Sequence, residues 1–353
     1  MRRDQIDRLL SEGKFPEVTE LRQLVETHIS WVILCDRFVY KIKRPIKYSF
    51  LDFSTLELRK HFCERELELN QRMSTDMYQE VLPIYESNEV YTIGGDGDAV
   101  VDYALKMRKL DPQRQMDVLV AKNKVSAADI KNLAKRIADF HKNTDIIIIK
   151  DVLDVKEKFN ALSEEKDFLT KHLNKNTGRR IDSAIEISNA FLNRNKALLN
   201  ERLKKGFFRD CHGDLHTRNI FLLPEPQPFD CIEFNDDYRQ IDVLNEVAFL
   251  CMDLDAWDRK DLSDLFIKQY NKLFPVMRNE MEYQLFVYYK SYRANVRAKV
   301  NSLRAESASD NFSQKQALAE ARKYLRLMEH YLNELDVSHL FRDQAKRIIK
   351  RTD

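Results

Sequence analysis

The chain has 353 residues, of which 43% are hydrophobic and 33% are charged, and its formal net charge is +2. This length is sufficient for two hydrophobic cores, whereas a charge so close to zero gives no reason to expect binding to nucleic acid or to a membrane surface. No apolar run approaches the roughly 20 residues of a membrane span, and the N-terminus lacks the apolar stretch of a signal peptide.

Helix and strand patterns begin the chain. Residues 1–25 are predicted to be helical, because apolar residues recur there on one face. Residues 28–45 are predicted to form two strands around a turn. In the second of these strands, period-two alternation places Lys41 and Lys43 on the same face of the sheet. Strand lysines usually face solvent, so a solvated pair is the alternative to a functional one.

A second helix is predicted to begin at the capping box Ser54–Glu57. Its apolar stripe includes Leu58, Phe62 and Leu69 at helical spacing, and Glu66 falls inside that stripe. A carboxylate on a buried face is destabilising unless it is paired. We therefore expect a lysine of the neighbouring strand to pair with Glu66.

Three further strands are predicted near 81–84, 90–93 and 100–107, after which helical patterns dominate. Strands first and helices later favour an α+β, bilobal arrangement. The predicted domains are a small β-rich N-lobe, residues 1–109, and a large, mainly helical C-lobe, residues 110–353.

The segment C-H-G-D-L-H-T-R-N spaces His212, Asp214 and Asn219 as H-x-D-x-x-x-x-N. In a kinase catalytic loop of this spacing, the Asp accepts the proton of the substrate hydroxyl and the Asn holds Mg²⁺. The pattern therefore predicts phosphoryl transfer, with Asp214 as the base and Asn219 as a metal ligand. The alternative is a His–Asp pair that caps a surface turn.

A β-hairpin is predicted next, from the apolar triplet 221–223 across the proline-rich turn 224–228 to a strand at 229–234. Kinases place a metal-binding D-F-G triplet after such a hairpin, and the corresponding triplet here begins at Glu233. Glutamate keeps the carboxylate on a longer arm. Glu233 is thus the predicted second Mg²⁺ ligand, with Asp230 as the alternative.

The five cysteines are dispersed and include no C-x-x-C pair, which indicates reduced thiols in a cytoplasmic protein. The sequence allows Cys211, His212 and Cys231 to meet near the predicted catalytic segment. Buried structural cysteine is the commoner arrangement, so zinc binding by these three is not expected.

Several segments resemble the aminoglycoside phosphotransferase-like family, a branch of the protein-kinase-like fold that phosphorylates small molecules. They are H-G-D-L-H-T-R-N, the I-E-F that contains Glu233, and I-D-V-L-N-E-V-A-F-L from Ile241. V-Y-K-I-K-R-P from Val39 and Y-R-A-N-V-R-A-K-V from Tyr292 are similar to an uncharacterised bacterial branch, often fused to a P-loop ATPase domain. The resemblance covers roughly residues 20–305. No Walker-A sequence is present, so that ATPase domain is not expected here.

This resemblance implies an ATP site in the N-lobe. Lys43 fits the lysine that clamps the nucleotide phosphates, with Lys41 as the runner-up and Glu66 as the acidic partner. The loop Thr27–Ser30 would contact the phosphates in place of a glycine-rich loop, and its alternative is an ordinary polar turn. The hinge, where adenine would hydrogen-bond to the backbone, is expected near Met107 to Leu110.

The resemblance also implies that Asp242 braces the catalytic loop, and its alternative is an acid at a helix start. Lys290, Arg293 and Arg297 share one face of a predicted C-terminal helix and would bind substrate, although a salt-bridged face is the usual meaning of such a pattern. If these cations bind substrate, an anionic acceptor is favoured over a polycationic aminoglycoside.

The predicted activity is therefore phosphorylation of a small-molecule hydroxyl, with ATP and Mg²⁺ as cofactors. Two alternatives remain open. One is a nucleotide-binding pseudokinase, which the glycine-poor loop and the Glu233 triplet favour. The other is an enzyme that modifies protein hydroxyls or transfers a nucleotidyl group. The sequence gives no prediction of oligomeric state.

Overall fold

The protein is described by a computed structural model that covers residues 1–48, 51–74 and 76–335. These residues form two compact units. Of the described residues, those within 1–125, 212–214 and 218–239 form the sheet unit, and those within 126–211, 215–217 and 240–335 form the helical unit. These units differ from the predicted lobes, which divide at residue 109. That boundary marks the expected hinge, and it stays a prediction.

Twelve strands occur in the described residues, most of them in the sheet unit. They are β1 (Gln23–Glu26), β2 (Ser30–Leu34), β3 (Phe38–Lys43), β4 (Lys47–Tyr48), β5 (Leu51–Asp52), β6 (Tyr78–Ser87), β7 (Val90–Ile93), β8 (Ala99–Arg108), β9 (Phe208–Asp210), β10 (Ile220–Phe221), β11 (Gln227–Pro228) and β12 (Gln240–Asp242).

Eleven α-helices occur in the same residues, and eight of them belong to the helical unit. They are α1 (Arg3–Glu12), α2 (Leu56–Gln71), α3 (Met116–Ala121), α4 (Ala127–Asn143), α5 (Asp154–Asn160), α6 (Lys166–His172), α7 (Thr177–Lys204), α8 (Val243–Ala256), α9 (Lys260–Leu273), α10 (Glu280–Glu306) and α11 (Asn311–Glu334). An N-terminal antiparallel sheet followed by a large helical part confirms the predicted α+β class.

The sheet unit is organised by one six-stranded antiparallel sheet in the order β1-β2-β3-β8-β6-β7. Tyr40 and Ile42 of β3 face an apolar core that also contains Leu9 of α1. The alternate residues Lys41 and Lys43 therefore point to the opposite face, as the period-two pattern predicts. Helix α2 packs on that opposite side, across β8, β6 and β3.

Helix α2 begins close to the predicted capping box. The side chain of Thr55, one residue after the predicted Ser54, caps the helix by accepting a hydrogen bond from Leu58 N at 3.2 Å. A buried ion pair attaches the helix to the sheet, since Arg59 Nε lies 2.8 Å from Asp102 of β8. These contacts fix the rotation of α2, and with it the direction of Glu66.

Two of the predicted elements are wrong. The first helix ends at Glu12 rather than near residue 25, and β1 follows it. Gly13 marks the end, because a side chain there would lie 2.4 Å from the carbonyl oxygen of Leu9. The predicted strand at 229–234 is also absent, because β11 ends at Pro228 and Glu233 lies in irregular chain. Proline lacks the amide that continues a strand ladder.

The helical unit buries most of α8 and α10. Helix α10 packs along α11 and α8, while α4 packs against α9. The short antiparallel pair β9–β12 brings Asp210 opposite Gln240, at the start of α8. All five cysteines of the chain are buried, and none of them forms a disulfide. Within the described ranges, no helix is both long enough and apolar enough to cross a membrane.

Candidate active site

Five charged side chains meet in the sheet unit, and we call them the lysine–carboxylate cluster: Lys41, Lys43, Glu66, Asp230 and Glu233. The ammonium nitrogens of Lys41 and Lys43 lie 2.7 Å and 2.8 Å from the two carboxylate oxygens of Glu66. Lys43 and Glu66 are both 0% exposed. Each buried charge therefore has a partner of opposite sign, as burial requires.

Asp230 and Glu233 complete the lysine–carboxylate cluster from the segment that follows β11. Lys41 Nζ lies 2.6 Å from Asp230, and Lys43 Nζ also contacts Glu233. Three carboxylates and two ammonium groups give a formal charge of −1 when all five groups are ionised. This excess of negative charge is compatible with a divalent cation, whose own charge would dominate the local field.

The buried carboxylates of the cluster differ in their pKa values. Burial disfavours the charged form of Glu66, but Lys41 and Lys43 outweigh that effect and lower its pKa to about 2. Burial raises the pKa of Glu233, and the charge of Glu66 adds to this against the attraction of Lys43. Glu66 is thus a fixed anion, whereas Glu233 is the carboxylate that a further cation would stabilise.

The C-terminal end of α2 holds the segment 229–233, which follows β11, close to Glu66. Asn70 Oδ1 accepts a hydrogen bond from Cys231 N at 2.9 Å, while Asn70 Nδ2 donates to the carbonyl of Glu66 at 2.8 Å. The hydroxyl of Tyr78 accepts a hydrogen bond from Asp230 N at 3.0 Å. Asp230 has a left-handed backbone with φ of 62°. The geometry of the segment is therefore set by α2 and β6.

His212 connects the predicted catalytic loop, residues 211–219, to the segment 229–233 that follows β11. Its Nδ1 accepts a hydrogen bond from Asp214 N at 3.2 Å, and its Nε2 lies 2.9 Å from the carbonyl oxygen of Phe229. A neutral imidazole with its proton on Nε2 satisfies both contacts. Ile232 N also donates to the carbonyl of His212 at 3.1 Å. The ring of His212 is fully buried, so these hydrogen bonds hold the backbone of the segment, and a role in catalysis stays a prediction.

Asp214 and Asn219 are adjacent in the folded loop. Asn219 Nδ2 donates to the Asp214 carboxylate at 2.9 Å and to the Asp214 carbonyl at 3.1 Å. Gly213 has φ of 90°, and a side chain there would lie 3.0 Å from the carbonyl oxygen of Tyr238, so glycine suits the position. The loop thus presents a partly exposed carboxylate that an amide orients.

These residues fit Mg²⁺ and a nucleotide by the chemistry of their donor atoms. The carboxylates of Glu233 and Asp230 and the side-chain carbonyl of Asn219 are the oxygen ligands that Mg²⁺ prefers. The ammonium groups of Lys41 and Lys43 are suited to phosphate oxygens. Glu233, Asn219 and Lys43 all belong to the sheet unit.

The remaining nucleotide-side candidates lie elsewhere in the sheet unit. Thr27 and Ser30 form the turn between β1 and β2, rather than between a helix and the first strand, because β1 precedes them. Ser30 N donates to Thr27 Oγ1 at 2.9 Å, so the hydroxyl of Thr27 stabilises its own turn. Met107 is buried near the end of β8.

Asp242 lies in the helical unit at the N-cap of α8, where its side chain accepts a hydrogen bond from Leu244 N. Arg202 of α7 binds the same carboxylate through two nitrogens, at 2.6 Å and 2.8 Å, and both residues are buried. Asp242 is therefore a helix cap and one partner of a bidentate ion pair. A bracing role in catalysis stays a prediction.

A different carboxylate holds residues 215–217 of the catalytic loop. Asp253 of α8 accepts hydrogen bonds from Thr217 N at 2.9 Å and from Thr217 Oγ1 at 2.6 Å. Its other oxygen accepts from the hydroxyl of Tyr324 at 3.1 Å. Burial opposes ionisation of Asp253, but His216, Arg297 and these hydrogen bonds outweigh it and lower its pKa.

The three predicted substrate cations are all buried on α10 within the helical unit. Lys290 Nζ lies 3.0 Å from Asp255, and Arg293 Nε donates to Asn245 Oδ1 at 2.7 Å. Arg297 lies 3.5 Å from His216 Nε2. Arg297 thus lies beside His216 within the helical unit.

Sequence reasoning did not identify Asn70, Arg202 or Asp253 as contributors to this geometry, and it considered Asp230 only as an alternative ligand. Asn70 follows Glu66 by one helical turn and therefore lies on the same buried face of α2. A polar residue on that face could have been recognised as a hydrogen-bonding residue of the site. Asp253 contacts a residue 36 positions away, and no local pattern reports such a contact.

Replacing Glu66 with Gln is expected to lower the free energy of unfolding by about 3 kcal/mol at pH 7. This value follows from the difference between a pKa of about 2 in the folded chain and the ordinary glutamate value of 4.5. The contribution is present above pH 4.5 and is lost as the pH falls toward 2. Urea denaturation of Glu66→Gln and of the exposed control Glu64→Gln measures it. Equal stability of the two variants would contradict the buried pairing.

The comparison with protein-family models finds no match. An uncharacterised protein of Mycobacterium tuberculosis is 32% identical over 320 residues, which is 88% of this chain and 60% of that protein. An uncharacterised protein of Mycobacterium bovis matches to the same extent. The chain therefore spans less than two thirds of the length of these curated relatives.

Solved kinase structures share the fold at low sequence identity. A choline kinase from Cryptosporidium parvum matches 93% of this chain and 95% of its own with a TM-score of 0.56 and 12% identity. An ethanolamine kinase from Plasmodium vivax covers 87% of this chain and 80% of its own, with a TM-score of 0.50 and 11% identity. The chain has a protein-kinase-like fold, and the fold that the resemblance implied is confirmed.

Proposed function

We propose that this chain, with its protein-kinase-like fold, is a Mg²⁺-dependent kinase that transfers the γ-phosphoryl group of ATP to a hydroxyl group of a small molecule. The observation that carries the proposal is the position of the segment 229–233. It supplies Asp230 and Glu233 to the lysine–carboxylate cluster, and His212 ties it to Asp214. The residues proposed as phosphate clamp, metal ligands and base all belong to the sheet unit, which supports the proposal.

In this proposal the acceptor oxygen bonds to the γ-phosphorus while the bond from that phosphorus to the bridging oxygen breaks, and ADP leaves. Asp214 accepts the hydroxyl proton, and the amide of Asn219 keeps its carboxylate oriented. Lys43 binds phosphate oxygens, and Glu66 holds its ammonium group in place. Mg²⁺ bound by Glu233 and Asn219 would neutralise the phosphate charge.

The acceptor is proposed to be an anionic hydroxyl compound. The support is Arg297, a buried cation of α10 whose guanidinium lies 3.5 Å from Nε2 of His216 in the helical unit. Lys290 is a weaker candidate, because its ammonium group already pairs with Asp255. We therefore propose Arg297 as the substrate-binding cation.

The test is incubation of the protein with Mg²⁺ and a pooled extract of small metabolites, using ATP labelled at the γ-phosphate and, in parallel, at the α-phosphate. We expect γ-label, and no α-label, in a small-molecule product. Transfer of the α-label would instead establish a nucleotidyl transferase, and γ-label in a protein fraction would establish a protein kinase.

A pseudokinase is the second candidate function. The observation that favours it is the contact of Lys43 with Glu233, because a lysine bound to the metal carboxylate is not bound to phosphate. Calorimetry with Mg²⁺ and ATP distinguishes the two. Saturable binding without label transfer to any metabolite or protein would support the pseudokinase and contradict the kinase.

A further inference from the structure

A second buried polar cluster lies in the helical unit and shares no residue with the candidate active site. His141 is in the last turn of α4, Cys211 follows β9, and Glu246 is in the first turn of α8. All three are 0% exposed. One ligand atom from each, the imidazole nitrogen, the sulfur and a carboxylate oxygen, lie within 4.8 Å of one another.

A contact of Nδ1 orients the imidazole of His141 so that Nε2 faces Glu246. Nδ1 lies 2.7 Å from the hydroxyl of Tyr270 on α9. Nε2 is fully buried and has no hydrogen-bond partner among the described residues, and it lies 3.9 Å from Glu246 Oε1. That separation is too long for a hydrogen bond. It is close to the spacing of two ligands around one metal ion.

Burial makes this arrangement informative. A buried nitrogen without a hydrogen-bond partner carries a desolvation penalty, and Nε2 of His141 is such a nitrogen in the described part of the chain. A divalent cation between the three side chains would remove that penalty by accepting the lone pair of Nε2. The hydroxyl of Tyr270 would then accept from Nδ1–H and leave the lone pair of Nε2 for the ion, as outer-shell partners of metal-bound histidines do.

We propose that His141, Cys211 and Glu246 form a zinc site that stabilises the helical unit. The donor set of one imidazole nitrogen, one thiolate and one carboxylate suits zinc, whereas Mg²⁺ requires oxygen ligands. Atoms within 4.8 Å of one another share a point about 2.8 Å from each. Zinc bonds of about 2.0–2.3 Å therefore need movements of less than about 1 Å.

The site would connect three elements that are distant in sequence. Zinc would join the end of α4 to the start of α8 and to Cys211, the residue immediately before His212 of the catalytic loop. Its role is structural, because none of its three ligands is exposed to solvent. Binding would displace the thiol proton of Cys211, whose sulfur lies 3.7 Å from the carbonyl oxygen of Ile241.

The first test is the metal content of the full chain produced in zinc-supplemented medium, measured by atomic emission after gel filtration. We expect about one zinc per chain in the wild type and a loss of most of it in Cys211→Ser and His141→Gln. Cys251→Ser is the matched control, since Cys251 is a buried thiol of α8 outside the cluster, and it should retain zinc. Equal zinc content in Cys211→Ser and the wild type would overturn the proposal.

A second measurement keeps the proposal testable if these variants fail to fold. The wild-type protein is treated with a zinc chelator and its thermal unfolding is followed, before and after zinc is added back. We expect the chelator to lower the Tm, zinc to restore it, and Co²⁺ to produce a thiolate-to-metal charge-transfer band. If the wild-type protein contains no zinc and the chelator leaves its Tm unchanged, the zinc site is refuted. His141 and Glu246 then form only a contact between an imidazole and a carboxylate.

Discussion

Replacing Asp214 with Asn is expected to lower the rate of phosphoryl transfer by about 10²–10⁴-fold, the range for loss of a general base. The amide keeps the size of the carboxylate and an oxygen that can accept the hydrogen bond from Asn219, but it cannot take the hydroxyl proton. Because the lysine–carboxylate cluster does not contain Asp214, ATP binding should be retained. Initial-rate kinetics and calorimetric titration with ATP measure the two effects separately.

The control for this variant is Asp98→Asn, which makes the same chemical change at an exposed position of the sheet unit. It should have wild-type kinetics. Wild-type turnover by Asp214→Asn would exclude Asp214 as the base. If Asp214→Asn lost ATP binding together with turnover, the catalytic loop would have a structural role in the nucleotide site that its hydrogen bonds do not predict.

Replacing Glu233 with Ala is expected to weaken Mg²⁺-dependent ATP binding by at least about 100-fold. Loss of an outer-shell partner already reduces metal affinity by about 10–100-fold, and Glu233 is proposed to be a direct ligand. Removal of its carboxylate also leaves Lys43 with Glu66 as its remaining carboxylate partner in the cluster. Calorimetric titration with ATP, with and without Mg²⁺, isolates the metal-dependent part.

The matched variant is Asp230→Ala, which removes the exposed carboxylate bonded to Lys41. If Glu233→Ala keeps its affinity and Asp230→Ala loses it, the metal ligand is Asp230. The pH dependence gives an independent check. Because burial raises the pKa of Glu233, the wild-type affinity for Mg²⁺ and ATP should fall as the pH drops through that raised value, since the protonated carboxyl cannot bind metal. Glu233→Ala should lack this dependence.

The fold class and the central ion pair could be predicted because each depends on a short sequence pattern. Glu66 interrupts an apolar stripe on one helix, so burial alone demanded a cationic partner. Lys41 and Lys43 alternate along one strand, so either could reach it. The structure shows that Glu66 uses one oxygen for each lysine. Periodicity cannot distinguish two residues on the same face of a strand.

The segment around Glu233 could not be predicted in the same way. The pattern from Phe229 to Phe234 is typical of a strand, yet tertiary contacts hold it in an irregular conformation. The hydroxyl of Tyr78 binds the amide of Asp230, and Asn70 binds the next amide. These partners come from distant parts of the chain, and they replace the ladder hydrogen bonds of a strand. Local propensity is overridden where side chains satisfy the backbone.

During synthesis on the ribosome, the lysines of the lysine–carboxylate cluster are made long before two of its carboxylates. Lys41 and Lys43 precede their partners Asp230 and Glu233 by 189 and 190 residues. At about 5–20 residues per second, a ribosome needs about 10–40 s to produce the second half of the cluster. During that interval the nascent chain has two ammonium groups and the single carboxylate of Glu66. We therefore expect the nascent sheet to form early but to bury Lys43 only after residue 233 has left the exit tunnel.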